Sequence, residues 1–132
     1  MITAEQQHKK IVIGVVYKPP QAPIGPFLDS LNEILNIVNK EQKETYIMGD
    51  FNLDLLRDER HLPTLNFINT MISYSFLPLI NKPTRITSTT ATLIDNIFCN
   101  NVHSNNFSNG VMYSDISDHP SIFCVKKTYG NI

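Results

Sequence analysis

The alternation of short apolar runs with segments of helical periodicity limits this chain most strongly to one fold class. The first run, Ile11 to Tyr17, is rich in β-branched residues and predicts a strand that is buried on both faces. Two adjacent prolines follow it and end the strand. Beyond a proline-rich loop at 19–26, apolar residues at three- and four-residue spacing predict a helix. Its apolar face comprises Phe27, Leu31, Ile34, Leu35 and Val38.

The alternation continues through the rest of the chain. Thr45 to Met48 predicts a second buried strand, and an inner face of Leu65, Ile68 and Ile72 predicts a second helix over 62–73. The order β-α-β-α followed by strands predicts an α/β fold with a mixed sheet flanked by helices. The remaining segments are extended pieces at 77–80, 93–98, 111–113 and 121–126, a polar stretch at 82–92 and turn residues at 100–110.

Length and composition indicate one globular domain. The chain has 132 residues, of which 42% are hydrophobic and 17% charged. We place a polar N-terminal tail at 1–10, the domain at 11–127 and a C-terminal tail at 128–132. The net charge of −1 neither indicates nor excludes a nucleic-acid partner. A polar start and the lack of any apolar run of about 18 residues predict an intracellular chain that does not cross a membrane.

Three short polar motifs stand at the ends of predicted strands. Gly49-Asp50-Phe51-Asn52 follows a buried strand, where ligands of α/β folds collect. A carboxylate and an amide two residues apart can there accept a proton and fix a hydrogen bond. The alternative is an Asx turn that only closes the strand.

The other two motifs lie nearer the C-terminus. Asp95 interrupts an apolar run, and burying it without a partner would cost on the order of several kcal/mol, so it needs a cation, a histidine or donors unless it faces solvent on an edge strand. Asp118 and His119 combine a metal-type oxygen with an imidazole whose tautomer a carboxylate can hold. The alternative for that pair is a polar turn. Cys99 and Cys124 lie in apolar runs and are predicted to be reduced core residues.

In this order the motifs resemble the second half of the endonuclease/exonuclease/phosphatase superfamily. The fuller pattern is GVVYKPP, YIMGDFN, KPTRITSTTATLIDNIF and SDHPSIF. It is similar to the endonuclease of LINE-type (non-LTR) retrotransposons, which accompanies a reverse transcriptase, from about Ile11 to Lys127. The resemblance implies half of a four-layer α/β sandwich.

The resemblance also implies a role for each matching residue in phosphodiester hydrolysis. Asp50 would position or deprotonate the attacking water, and Asn52 would hydrogen-bond the scissile phosphate or that water. His119 would stabilise charge on the phosphate, with Asp95 as its partner. Tyr17 would contact the phosphate, although it could also be a plain aromatic residue at a strand end.

The implied cofactor is Mg²⁺ or Mn²⁺, with Asp118 at or near the metal. The implied partner is DNA in the nucleus, contacted by Arg85 together with Thr84, Thr87 and Ser88, whose donors suit phosphate oxygens. Asp54 is expected to be a solvated loop carboxylate.

The first half of the family domain, which carries the main metal-binding glutamate, has no match here. Glu5, Glu41 and Glu44 lie in other contexts. We therefore expect a truncated endonuclease that is weak or inactive alone. The sheet face with Ile13, Val15 and Ile97 would lack its cover, which favours self-association or aggregation. Two alternatives remain open, namely a non-catalytic remnant that acts as an interaction module and a phosphatase of the same superfamily.

Overall fold

A computed structural model of the protein describes residues 10–57, 61–101, 107–113 and 119–126. Its helices are α1 (Ile24–Glu41) and α2 (Leu62–Ser73), with a short 3₁₀ helix at Leu55–Arg57. Its strands are β1 (Ile11–Tyr17), β2 (Glu44–Asp50), β3 (Leu77–Pro78), β4 (Arg85–Ile86), β5 (Ala91–Thr92), β6 (Asp95–Cys99), β7 (Phe107–Met112) and β8 (Ser121–Lys126).

The central sheet has four strands in the order β1-β2-β6-β3. β1 and β2 are parallel, as a helical crossover such as α1 requires, whereas β6 runs antiparallel to both β2 and β3. The strands β4 with β5 and β7 with β8 form two separate antiparallel pairs. The predicted α/β class with a mixed sheet is confirmed.

Both helices pack on one face of the sheet. Their buried side chains meet those of β2, β6 and the loop after β2, and the members of this core include Leu31, Leu35, Ile47, Phe51, Phe67, Met71 and Phe98. The ring of Phe67 lies at its centre, with centroids 4.9 Å from Phe51 and 5.5 Å from Phe98. Aromatic contacts of this kind add to the stabilisation from burial.

The predicted inner face of the second helix is confirmed at Ile68, which packs against the core, and is wrong at Leu65 and Ile72. The buried residues of α2 are Thr64, Phe67 and Met71, whereas Leu65 and Ile72 are exposed. Apolar residues surround most of this helix, so spacing alone does not choose a side, and the large Phe67 ring takes the core position. In α1, Leu31 and Leu35 are buried as predicted, but Ile34 is exposed.

The hairpin of β7 and β8 covers the other face of the sheet over β2 and β6. Tyr46, Ile97 and Cys99 are buried there against Phe107, Ile122 and Cys124. The prediction that Ile97 lies on an uncovered face is therefore wrong. The cover comes from β7, which begins inside the stretch predicted as turn. Cys99 is buried, Cys124 is half-buried, and both are free thiols, as predicted.

β1 is the edge strand and is not buried on both faces as predicted. Alternate side chains face outward, and Ile13 and Val15 are 64% and 78% exposed. The opposite side chain of Val16 packs on the helical core. Among the described residues, β1 has a neighbouring strand on one side only, and the described part of the hairpin leaves its outer face open. Neither described helix is long and apolar enough to span a membrane.

Candidate active site

The strand register brings three predicted site residues into one row at the end of the sheet. Tyr17 is paired with Asp50 across β1 and β2, and Asp50 is paired with Asp95 across β2 and β6. Residues paired on neighbouring strands point to the same face. Three side chains that are far apart in sequence therefore share one edge of the sheet.

His119 joins this row from the start of β8. Its Nδ1 lies 3.2 Å from Oδ2 of Asp95. Ligand atoms of Asp50, Asp95 and His119 all lie within 4.8 Å of one another, and we name these three residues the carboxylate–histidine cluster. The imidazole is more exposed than the carboxylate, 38% against 15%, so the histidine is the member that faces solvent.

Asp50 is held in an unfavourable setting for a carboxylate. Burial raises its pKa above the ordinary value of 3.8, and the nearby charge of Asp95 raises it further. The N–H of Asn52 opposes this rise in pKa, as do the charges of His119 and Arg85. A carboxyl with a raised pKa accepts a proton more readily near neutral pH.

Because Gly49 has no side chain, β2 can lie close to β1 at the residue just before Asp50. A Cβ atom at Gly49 would lie 1.7 Å from the carbonyl oxygen of Val16 on β1, and the φ of Gly49 is +157°. Only a residue without a side chain fits beside β1 there. The glycine of the motif therefore sets the approach of the strand that carries Asp50.

The loop after β2 begins with an Asx turn, so this alternative for the motif is realised together with the cluster. The backbone N–H of Asn52 donates to Oδ1 of Asp50 at 3.0 Å, and Asn52 has a φ of +49°. The side-chain amide of Asn52 donates to the carbonyl of Lys18 at 2.6 Å. One of its two N–H donors is thus occupied by the end of β1.

Two further residues fix the start of β6, in roles that the sequence did not predict. Thr84 is not the DNA contact that we predicted, because it is fully buried and its Oγ1 accepts the N–H groups of Ile94 at 3.0 Å and Asp95 at 2.9 Å. Asp54 is not the solvated carboxylate that we predicted, because its Oδ1 accepts the N–H of Leu93 at 3.0 Å. Neither of these bonds carries a local signal, since Leu93 lies 39 positions from Asp54 and Ile94 lies 10 positions from Thr84.

The other three predicted DNA contacts lie on the hairpin of β4 and β5. Arg85 is exposed, and its charge is close enough to lower the pKa of Asp50. Ser88 is exposed in the turn. The hydroxyl of Thr87 lies 2.6 Å from the hydroxyl of Thr90 and accepts the N–H of Thr90, so Thr87 also stabilises its own turn.

Of the remaining predicted residues, Tyr17 is 64% exposed and Asp118 lies outside the described residues. Glu41 and Glu44 contact Lys43 and Lys126. Glu44 begins β2 whereas Asp50 ends it, so Glu44 is not at the cluster.

The cluster fits a divalent cation. Carboxylate oxygens suit Mg²⁺ and Mn²⁺, whereas an imidazole nitrogen is more usual for transition metals. The two neighbouring carboxylates of Asp50 and Asp95 repel each other, and the raised pKa of Asp50 reflects this repulsion together with burial. A bound cation would remove that repulsion. Among the described residues, this is the group whose geometry could hold a metal ion.

Comparison with known proteins identifies the fold. No family model and no curated protein matches the sequence. Among solved structures, the endonuclease domain of TRAS1, a telomere-specific non-LTR retrotransposon, is similar with a TM-score of 0.70 and 17% identity, over 86% of this chain and 56% of that domain. An endonuclease/exonuclease/phosphatase family protein from Leptotrichia buccalis C-1013-b gives a TM-score of 0.47 and 17% identity, over 72% of this chain and 41% of that one.

The fold of this chain is therefore similar to that of the TRAS1 endonuclease domain. At the level of the fold, the predicted resemblance to the LINE-type retrotransposon endonuclease is confirmed. The chain spans little more than half the length of the TRAS1 domain.

Proposed function

We propose that this chain carries part of the active site of a metal-dependent phosphodiesterase that cleaves DNA, as the endonuclease of a non-LTR retrotransposon does. The observation that carries the proposal is the carboxylate–histidine cluster, whose ligand atoms lie within 4.8 Å at the end of the sheet. The similarity of the fold to the TRAS1 endonuclease domain supports it. The same resemblance supports a nuclear location.

The cluster residues divide the work of phosphodiester hydrolysis. Asp50, whose carboxylate accepts the N–H of Asn52 at the end of β2, positions the attacking water. His119, the exposed member of the cluster, faces the phosphate and stabilises the charge that develops on its oxygens. Asp95 orients the imidazole through its contact with Nδ1, which leaves Nε2 directed to the substrate.

Two neighbours help to place the substrate. The side-chain amide of Asn52 donates one N–H to the carbonyl of Lys18. Its second N–H donates to a phosphate oxygen of the substrate. Tyr17 lies in the same row as Asp50 and presents an exposed hydroxyl on the same side. Asp50 and Asp95 would hold Mg²⁺ or Mn²⁺, which neutralises phosphate charge when bound.

DNA is the substrate that the surroundings favour. Arg85 stands beside the cluster on an exposed hairpin with Thr87 and Ser88, and such donors suit the phosphates of the backbone. We expect the activity of the chain alone to be weak, because it covers only part of the length of a working endonuclease domain. A non-catalytic interaction module is the second candidate, favoured by the same observation and by the open apolar face of β1.

Nicking of supercoiled plasmid by the purified chain, with Mg²⁺ or Mn²⁺, tests this proposal. His119→Ala should abolish nicking, whereas His61→Gln, at the start of α2 and outside the cluster, should retain it. Arg85→Ala should weaken DNA binding more than Arg57→Ala, an exposed arginine on the 3₁₀ helix. Folded protein that never nicks would favour the module. Release of phosphate from monoesters without nicking would identify a phosphatase.

A further inference from the structure

Side chains hold three successive backbone N–H groups just where β6 begins. The N–H of Leu93 donates to Oδ1 of Asp54, and the N–H groups of Ile94 and Asp95 donate to Oγ1 of Thr84. In a strand interior such donors would bond to a neighbouring strand. Here oxygens from two distant residues take that place, and the segment they hold leads directly into Asp95.

Asp54 belongs to the loop that begins at Asp50, so its bond links the two carboxylate-bearing segments. Its Oδ1 also accepts the N–H of Leu56 at 3.1 Å, which fixes the oxygen within its own loop. Two backbone bonds run in parallel to the bond with Leu93. Phe51 donates to the carbonyl of Ile94 at 2.8 Å, and Leu55 donates to that of Leu93 at 2.9 Å.

These bonds counter a repulsion inside the cluster. Asp50 and Asp95 are cross-strand neighbours of like charge, an arrangement that destabilises a sheet. A loose segment before β6 would let Asp95 move away from Asp50 and carry His119 with it. Asp54 opposes this movement, since it holds Leu93, two residues before Asp95, against the loop that follows Asp50.

We infer that Asp54 is a positioning residue that sets the distance between Asp50 and the Asp95–His119 pair. It acts through the backbone at Leu93 and does not itself enter the cluster. The effect of Asp54 on catalysis rests on the proposed function, whereas its effect on the geometry of the cluster does not.

Substitutions at Asp54 separate geometry from charge. Asp54→Asn keeps an acceptor oxygen at the same position and removes the charge, whereas Asp54→Glu keeps the charge and displaces the carboxylate by one methylene. Asp54→Ala removes both. A positioning role predicts nicking close to the original rate for the asparagine variant. It predicts a loss of about 10- to 100-fold for the other two, the scale expected of a small misplacement of reacting groups.

A second measurement does not depend on activity. Amide exchange at Leu93, together with the NMR shifts of the Asp95 amide and the His119 ring, should change in the glutamate and alanine variants and be restored in the asparagine variant. Asp29→Ala, at an exposed carboxylate on α1, is the control and should leave all three unchanged. If the alanine variant does not fold, the asparagine and glutamate variants still decide.

The outcomes are distinct. Unchanged Asp95 and His119 resonances in the folded glutamate variant would overturn the inference, as would a loss of nicking in the asparagine variant that equals the loss in the glutamate variant. If the original chain neither nicks DNA nor binds Mn²⁺, the proposed function fails. Even then, Asp95 and His119 resonances that shift in the glutamate variant but keep their original positions in the asparagine variant would support the positioning role.

Discussion

The two ends of β2 each carry a carboxylate, but the charges around the two carboxylates are opposite in sign. At its start, Glu44 is nearly buried and meets the ammonium of Lys126 at 2.6 Å and the amide of Asn101 at 2.7 Å. At its end, Asp50 stands beside a second carboxylate, Asp95, and burial raises the pKa of Asp50. The carboxylate of Glu44 therefore has its partners within the chain. A proton or a cation would relieve the repulsion between Asp50 and Asp95, and carboxyl groups with a raised pKa are common at functional sites.

The largest effect that we predict at the second end is that of Gly49→Ala. The new Cβ would lie 1.7 Å from the carbonyl of Val16, so β1 and β2 would have to separate. We expect a loss of more than about 3 kcal/mol in the free energy of unfolding, measured with urea. Gly14→Ala on β1 is the matched control, because its Cβ would be 3.8 Å from Ile47, an ordinary contact. Similar losses for both variants would contradict the prediction.

Next in size is Thr84→Val, which removes the oxygen that holds the start of β6. The N–H groups of Ile94 and Asp95 would be left without their acceptor. Each unsatisfied buried donor costs about 1 to 3 kcal/mol, and the N–H of Asp95 is only partly buried, so we expect a total in the lower part of the summed range, about 2 to 4 kcal/mol. Thr89→Val, at an exposed position in the β4–β5 turn, should cost much less. Equal urea midpoints for the two variants would show that water replaces the hydroxyl.

Lys126→Met tests the opposite end of β2. It leaves the carboxylate of Glu44, only 5% exposed, without its cation. The expected loss is about 2 kcal/mol, below that of a fully buried pair because Lys126 is 21% exposed. Lys43→Met removes the partner of exposed Glu41 and should change stability by less than about 0.5 kcal/mol. Adding Glu44→Gln should recover part of the loss, whereas no recovery would mean that the pair is not the cause.

Local sequence could predict which residues lie along one strand, but not which residues lie side by side on two neighbouring strands. Asp50 at a strand end and Asp95 within an apolar run follow from patterns of a few residues. Their side-by-side register depends on how β2 and β6 pair, and this requires the whole sheet. Asp54 and Thr84 were assigned other roles for the same reason, because Asp54 meets its partner Leu93 across 39 positions of sequence.

Burial was mispredicted where periodicity had no unique answer. A β-branched run predicts a central strand, yet β1 lies at the edge of the sheet that the described residues form. The number of neighbouring strands is not encoded in the sequence of the strand itself. On α2, Leu65 and Phe67 both belong to apolar stripes, and the larger side chain, that of Phe67, occupies the core. Tertiary packing decides both cases.

The smallest predicted change has the opposite sign. Asp50→Asn removes a charge but keeps an oxygen that can accept the N–H of Asn52. The pKa of Asp50 is raised in the folded chain, so folding favours the protonated carboxyl. Its stabilising contribution is present below the ordinary pKa of 3.8 and is lost as the pH rises through the raised value. The variant should therefore be more stable than the original chain at neutral pH, and this gain should vanish in acid.

Urea unfolding at about pH 7 and about pH 3 measures this difference, with Asp29→Asn as the control for losing one exposed negative charge. Saturating Mn²⁺ then sharpens the comparison. A cation that binds only the folded state adds stability by mass action, and it should add more to the original chain than to Asp50→Asn. The order of stability at neutral pH would then reverse. If Asp50→Asn is instead less stable than the original chain without any cation, residues of the chain itself stabilise the charged carboxylate of Asp50. The two ends of β2 would then not differ in this respect.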